Sequence, residues 1–400
     1  MRILVSSVAL LMPAVAAANG YLVPNTNPRD LGLAESTVSS TEGAEATFVN
    51  AATLSEHLGL DITLSGAITS FRSTWIDPTH ASGDTTTQGQ LAVPITAGIS
   101  YGLKLADHGF GVGASLNTPG GGRVYWPQSW PGANYSIFSN RNVFQATLGA
   151  GFEIIPQLKI GASFIYMQMN EQFENALPLG AGTADFGLAG GRPSFAASFE
   201  LTPIKGLAIG AQYQHLAEMN LNGNVHFSGV PTVLQSTLVD QSVTSEVTFP
   251  NFVTAGISYN ILERVRLLFG YQFTRFIVYG QDHIYGGLTG LAVTVARNYT
   301  NANGFKLGAE VFALPFLRVF VGGRRDTSPQ PTDTLSPTIP DSPSWSVSGG
   351  AALDILSFLS LMAAYQYTWF DSVTSSGDAF PAKYESAAQI GSVGLQFRWK

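Results

Sequence analysis

Residues 264–275 read RVRLLFGYQFTR, with Val265, Leu267, Phe269, Tyr271 and Phe273 on one face and Arg266, Gly270, Gln272 and Thr274 on the other. A β-strand imposes that period of two, because its successive side chains point to opposite sides of the sheet. The alternation recurs in GLAIGAQYQ (206–214), in LSLMAAYQYTWF (359–370) and at the C-terminus, where Val393, Leu395, Phe397 and Trp399 share a face. Such stretches reach roughly the ten residues that a tilted strand needs to cross a bilayer, with one face fit for lipid and the other small or polar.

Composition agrees with a membrane strand protein. Charged residues make up 12% of the 400-residue chain, against about a quarter in a soluble domain. Apolar residues reach 45% but are interleaved, and no segment after the leader has the roughly 18 consecutive apolar residues of a membrane helix. A net charge of -7 argues against nucleic acid as a partner, since phosphate contacts need a basic surface. At the N-terminus Arg2, the apolar run ILVSSVALLM and AVAAA, with Ala16 and Ala18 at the small-residue positions, predict a signal peptide over 1–18 and export. The chain has no cysteine, which excludes a disulfide scaffold.

Six segments show a strand end, a short bend and an immediate restart: LKLADHGFGVGA, EIIPQLKIGAS, ELTPIKGLAIGAQ, NILERVRLLFG, ALPFLRVFVGG and DILSFLSLMAA. Between them lie long Gly-, Ser-, Thr- and Pro-rich segments such as NALPLGAGTADFGLAGG and RRDTSPQPTDTLSPTIPDSPS. Outer-membrane barrels combine short periplasmic turns with longer outer loops. With both chain ends in the periplasm, six turns require seven outward and seven returning strands. The expected fold is therefore all-β, a 14-stranded antiparallel transmembrane β-barrel. Its strand centres fall near Leu64, Ile99, Val112, Ala146, Ala162, Ala197, Ala211, Ala255, Phe269, Leu307, Val319, Gly349, Ala363 and Val393. Eight strands already make an interior that side chains just fill, so fourteen need a plug or form a pore. Residues 19–58, small and polar, suit an N-terminal plug (hatch) inside the lumen, with the barrel over 59–400; a periplasmic tail is the alternative.

One stretch interrupts the alternation. SLNTPGGGRVYW (115–126) carries Pro119, Gly120, Gly121 and Gly122, a residue without an amide and three without side chains. The following RVYWPQSWPG has two prolines and no helix start, so a phosphate cradle is excluded. A hairpin turn and a deliberate defect in a strand both remain open. Catalysis is not expected: His215 has no serine elbow near it, and the other histidines lack metal-ligand spacing. No catalytic residue, metal or cofactor is expected. Trp75, Tyr125, Trp126, Trp130, Trp369 and Trp399 fit the aromatic girdles of a barrel. Two outer loops are apolar, one through Leu177, Leu179, Phe186 and Leu188, the other through Val230, Val233, Leu234, Leu238 and Val239. Exposed apolar loops either pack together or bind something; a shared outer groove for a hydrophobic ligand fits both.

The sequence resembles the FadL/TodX-type outer-membrane transporters of long-chain fatty acids and aromatic hydrocarbons. The stretch Arg324 to Gly350 is similar to that family's Asp-x-Ser-Pro loop and Pro-Asp return strand, and NGY (Asn19, Gly20, Tyr21) is similar to its N-terminus. GLAESTVSSTEGAEATFVNAATL resembles its plug, with Asn50-Ala51-Ala52 where the family has Asn-Pro-Ala. The resemblance implies a plugged barrel with an outer groove, an inner pocket and a lateral gap at a kinked third strand, which by count contains Pro119 to Gly122. It also implies basic groups for a carboxylate, one on the fifth strand, where IYMQMNEQF offers Gln168 and Gln172; Arg266, Arg275, Arg297, Lys306, Arg324 and Arg325 are the substitutes on other strands. The expected function is passive uptake of hydrophobic molecules by a monomeric outer-membrane channel, its partners being a fatty acid or hydrocarbon ligand and outer-membrane lipid, or detergent once extracted. The alternatives are a non-transporting barrel acting as adhesin or structural protein, a general porin and, last, an enzyme.

Overall fold

The structure is a computed structural model that describes residues 20–399 other than 80, 90, 378 and 379. The expected signal peptide and Asn19 lie outside the described residues. Fourteen antiparallel strands form one closed sheet. They are β1 (Gly59–Ile76), β2 (Leu91–Ala92 and Ile95–Leu105), β3 (His108–Tyr125), β4 (Phe138–Ile155), β5 (Leu158–Ala176), β6 (Thr183–Ile204) and β7 (Leu207–Gln214 and Ala217–Ser228). The second half comprises β8 (Gln241–Phe249 and Phe252–Ile261), β9 (Val265–Thr274 and Gln281–Gly286), β10 (Leu291–Ala296 and Ala302–Leu314), β11 (Leu317–Asp326), β12 (Ser344–Leu356), β13 (Leu359–Phe370) and β14 (Lys383–Trp399). β14 pairs with β1 from Leu60↔Trp399 to Ile76↔Lys383, which closes the cylinder. All fourteen expected strand centres fall within these strands. The six tight turns gather at one end; in the first, Ala106 and Asp107 take φ of 46° and 73°, as a two-residue hairpin of the primed type requires.

The wall changes character along its height. In the half next to the tight turns, Ile99, Leu148, Phe164, Ile257, Leu307 and Val393 face outward and are exposed, while Asp61, Gln212, Ser258, Lys306, Glu310 and Gln396 face inward and are buried. This half is polar inside and apolar outside, the arrangement lipid demands. Above it, β7, β8, β9 and β10 each break, at 215–216, 250–251, 275–280 and 297–301. In β7 the inward residues Gln214 and Ala217, and in β8 Phe249 and Phe252, are three apart instead of two or four, the mark of one inserted residue. Beyond the breaks Met219, Leu221, Val225, Val243, Val247 and Ile284 are buried inside, and Glu218, Asn220, Thr244, Glu246 and His283 are exposed outside. The upper half is thus built like a water-soluble barrel. This corrects the aromatic expectation: Trp75, Trp126 and Trp130 lie above the apolar belt and are buried in an interior cluster with Tyr384, whereas Trp369 and Trp399 stay part-exposed at strand ends.

The segment from Gly20 to His57 runs from the level of the breaks down through the lower half, folded into short helical turns and largely buried. Asn27 caps the turn Pro28–Gly32 by accepting from the Arg29 and Asp30 amides. Asn50 pins a second turn, donating to Val38 O at 2.7 Å and Phe199 O at 3.2 Å and accepting from the Ala52 amide. The wall is shaped to receive this backbone: a Cβ added to Gly111, Gly151 or Gly161 would strike Leu54 O, Ala51 O or the Ala52 amide. Replacing Gly151 with Val should leave the barrel folded but displace the 51–54 turn. The expected readout is faster proteolysis of the N-terminal segment and a stability loss of about 1–3 kcal/mol, typical of overpacking.

Candidate ligand site and wall opening

The site starts from the Pro119 to Gly122 interruption. The chain does not turn back there; β3 runs through it, and the hairpin reading falls. Pairing with β4 slips by one residue between Asn117↔Gln145 and Gly120↔Val143, a bulge at Thr118 and Pro119. On its other side β3 pairs with β2 only up to Ala97↔Leu116. Above that level Leu91 and Ala92 of β2 stay with Ser70 and Thr69 of β1, and the two strand lines rejoin where the Gln88 amide donates to Tyr125 O at 2.7 Å. Between these points no ladder pair joins β2 to β3 among the described residues. The outer rim of this slit is apolar, with Leu91, Val93, Ile95 and Leu116 exposed.

The start of the N-terminal segment closes the slit from within. Gly121 donates to Tyr21 O at 2.7 Å and Val23 donates to Pro119 O at 3.0 Å, so Tyr21 to Val23 lie along β3 as a one-bridge strand. The absent side chains matter here: a Cβ at Gly120 would come within 3.0 Å of Phe249, 3.1 Å of Tyr21 O and 3.2 Å of Val143. At the other end of this strap the Gly20 amide donates to Asp341 Oδ2 at 3.0 Å, and Asp341 also accepts from the Ser328 hydroxyl. Asp341 sits in the long loop between β11 and β12.

Above the strap lies the largest apolar cluster among the described residues, including Tyr21, Leu22, Met167, Met169, Phe186, Leu188, Leu221, Phe249, Phe276 and Tyr299. A chain of buried charged groups penetrates it. The Arg141 guanidinium pairs with Glu171, donates to the Tyr279 hydroxyl at 2.9 Å, and stands over the rings of Tyr21 and Tyr279. Tyr279 in turn bonds Asp282, which pairs with Arg297 at 2.7 Å. Below the strap a cavity of about 120 Å³ is lined by Leu22, Val23, Phe48, Pro119, Gln145, Phe252 and Lys306. At the tight-turn end the segment is tied down by ions: Arg29 to Glu310 at 2.8 Å, and Glu42 to Arg318 at 2.8 Å, to Arg398 at 3.1 Å and to Arg266 at 3.3 Å. Burial alone would raise the Glu42 carboxyl, but the guanidinia of Arg29, Arg318, Arg398 and Arg266 hold it well below the usual range.

The family model for outer membrane transport proteins (OMPP1/FadL/TodX) matches residues 9–399. This chain belongs to that family. No curated protein sequence matches it. Among solved structures, a Pseudomonas aeruginosa FadL homologue superposes with a TM-score of 0.84 at 16% identity, covering 95% of this chain and 100% of that one. The P. putida toluene transporter TodX gives 0.74 at 14%, covering 96% and 99%, and the Ralstonia pickettii toluene transporter TbuX gives 0.69 at 16%, covering 94% and 100%. At these identities the likeness is one of fold. As an outer-membrane barrel of the FadL/TodX family, the protein turns its tight-turn end to the periplasm.

The residues singled out in this FadL/TodX-family sequence are dispersed by the structure. Phe186 and Leu188 belong to the upper apolar cluster and Leu177 packs against it, while Leu179, Val233 and Leu234 are exposed and Leu238 is half-buried. Gln168 and Gln172 fall on the outer face of β5; the inward residues between them are Met169 and the acid Glu171. Of the substitute cations, Arg275 is exposed, Arg325 pairs outward with Asp371, Lys306 lies 3.5 Å from Glu35, and Arg324 also pairs with Glu35. His215 sits at the β7 break, stacked on Phe195 with ring centroids 4.7 Å apart and bonded to Tyr213. Sequence reading missed Arg141, whose only signal was a lone cation between the inward positions Ser139 and Val143.

Two tests follow from these contacts. Glu310→Gln leaves Arg29, Arg266 and Arg318 short of a shared buried counter-charge; a thermal melt should show destabilisation of about 3–5 kcal/mol, as for other broken buried pairs. Burial raises the Asp341 carboxyl from its ordinary 3.8 to about 7. A folded-state value above the unfolded one means that its stabilisation is complete below about pH 4 and is lost as pH rises toward 7. Protection of the N-terminal strap from protease should therefore fall between pH 5 and 8, and Asp341→Asn should flatten that dependence.

Proposed function

We propose that this protein takes up uncharged hydrophobic molecules passively across the outer membrane and releases them sideways through the slit between β2 and β3. The observation that carries the reading is the polarity change along the lumen. The upper lumen is lined mainly by apolar side chains, the lower half is filled by a polar segment fixed to the wall, and the slit behind Leu22 and Val23 is a break in the ladder that borders both and has an apolar outer rim. A hydrophobic molecule held in the chamber meets rising desolvation costs for polar groups if it moves down, and none if it moves out into lipid.

The charge pattern supports a neutral cargo over a fatty acid. The seven buried Lys and Arg residues among the described residues, Arg29, Arg141, Lys159, Arg297, Lys306, Arg318 and Arg324, each lie beside a carboxylate. An incoming carboxylate would have to displace one of those partners. A porin reading is disfavoured by the same filled lumen. The solved TodX and TbuX structures are described as toluene transporters, which is consistent with a neutral ligand here.

Uptake by cells lacking their own transporter is the test, with labelled toluene and labelled oleate compared against empty vector. Toluene should enter at least several-fold faster with the protein, and oleate should gain little. Deleting Pro119 removes the one-residue slip, lets β3 run straight beside β2, and should cut toluene uptake by about tenfold with the barrel still folded. Unchanged uptake in that variant would place the exit elsewhere.

A further inference from the structure

The chamber is not empty of aromatics that could leave. Tyr21 lies in the strap at the start of the segment, and its side chain is fully buried at the centre of a cage. Phe249, Phe276 and Tyr279 present their edges or faces to it at centroid distances of 5.9, 5.5 and 5.8 Å with interplanar angles of 62°, 79° and 81°. The Arg141 guanidinium covers the ring at 4.8 Å. Its hydroxyl donates to Thr248 O at 3.0 Å. These are the features of a designed receptor for one ring: aromatic walls in edge-to-face contact, a cation on the face, and one acceptor at the far tip.

Beyond its Cα, the tyrosine side chain is 4-methylphenol. We propose that the cage is a binding site for neutral para-alkylphenols, which bind by replacing the Tyr21 side chain. This rests on the hydrophobe-uptake reading and sharpens it to a ligand class. Three features select a phenol. A plain hydrocarbon ring leaves Thr248 O without the donor that Tyr21 supplies. A carboxylate sets an anionic oxygen against that carbonyl, and Arg141 is already engaged by Glu171 and Tyr279. A phenolate is disfavoured by the burial that keeps the Tyr21 hydroxyl protonated. The occupant is also tied to the wall: removing Tyr21 from the cage pulls on the Tyr21 O and Val23 N hydrogen bonds that hold the strap to Gly121 and Pro119. Ligand binding in the chamber and unfastening of the slit are thereby one movement.

The test is calorimetric titration of the purified full-length barrel with 4-methylphenol, toluene and 4-methylbenzoate, each heat referenced to the same detergent without protein. Tyr21→Ala vacates the cage and should bind 4-methylphenol at least tenfold more tightly than the unaltered protein does. In that variant 4-methylphenol should exceed toluene by about tenfold, the worth of one retained hydrogen bond, and 4-methylbenzoate should bind weakest. Tyr21→Phe keeps the ring and loses the bond to Thr248, so 4-methylphenol should displace it more readily than it displaces Tyr21. If protease shows that Tyr21→Ala has lost the N-terminal fold, Tyr21→Phe carries the same ranking alone. Equal affinity for toluene and 4-methylphenol, or no gain on removing the tyrosine hydroxyl or ring, overturns the proposal. Failure of the ranking leaves toluene uptake untouched, and failure of uptake with the ranking intact removes the transport reading and keeps the site.

Discussion

The structure depends on a single demand made by its surroundings: polar backbone and side chains must be hidden from lipid in the lower half of the wall and may face water in the upper half. One continuous β-barrel satisfies both if the polarity of its inner and outer faces is exchanged partway up, and in β5 the change is one of residue type along an unbroken strand. β7 and β8 do this with single-residue insertions, and β9 and β10 with short irregular segments at a similar level. The exchange determines what each half of the lumen can hold. A polar lower lumen must be filled by a polar segment with its hydrogen bonds and ion pairs satisfied, whereas an apolar upper lumen favours an apolar occupant.

The N-terminal segment spans that boundary and is divided by it. Its bulk, from Arg29 to Glu56, is held by ion pairs to β5, β9, β10, β11 and β14. Its first residues hold to the wall through few hydrogen bonds, to Asp341, Thr248, Pro119 and Gly121, and through the Tyr21 ring. Local opening starts where few contacts must break together. The segment therefore has a fixed base and a releasable tip, and the tip is the part that lies against the β3 bulge.

Much of the fold is legible in residues 59–399 because alternation and turn chemistry are local properties. The pattern in Val265 to Phe273 and the bends at Ala106 or Pro156 need no knowledge of distant chain. What stayed hidden depends on register. Whether Gln168, Glu171 or Gln172 faces the lumen is a question of one residue's phase, and a one-residue slip turns a strand over. Trp75, Trp126 and Trp130 look like girdle residues until the face exchange puts their end of the barrel above lipid. Arg141 gains its meaning only from Glu171 and Tyr279, residues 30 and 138 positions away that the barrel brings to it.

The Pro119 to Gly122 stretch joins the local and the distant parts of this account. Locally it is a proline without an amide followed by three residues without side chains, enough to foretell a fault in β3 but not its purpose. In the folded barrel the missing Cβ of Gly120 leaves room for the Tyr21 carbonyl and for Phe249, and the Pro119 carbonyl and Gly121 amide, freed from the wall's own ladder, serve the strap instead. A regular strand would have spent those groups on β2 and left the strap no partner and the chamber no boundary with lipid. The fault is thus the point where wall, strap and chamber share atoms, and a change in any one of them is felt by the other two.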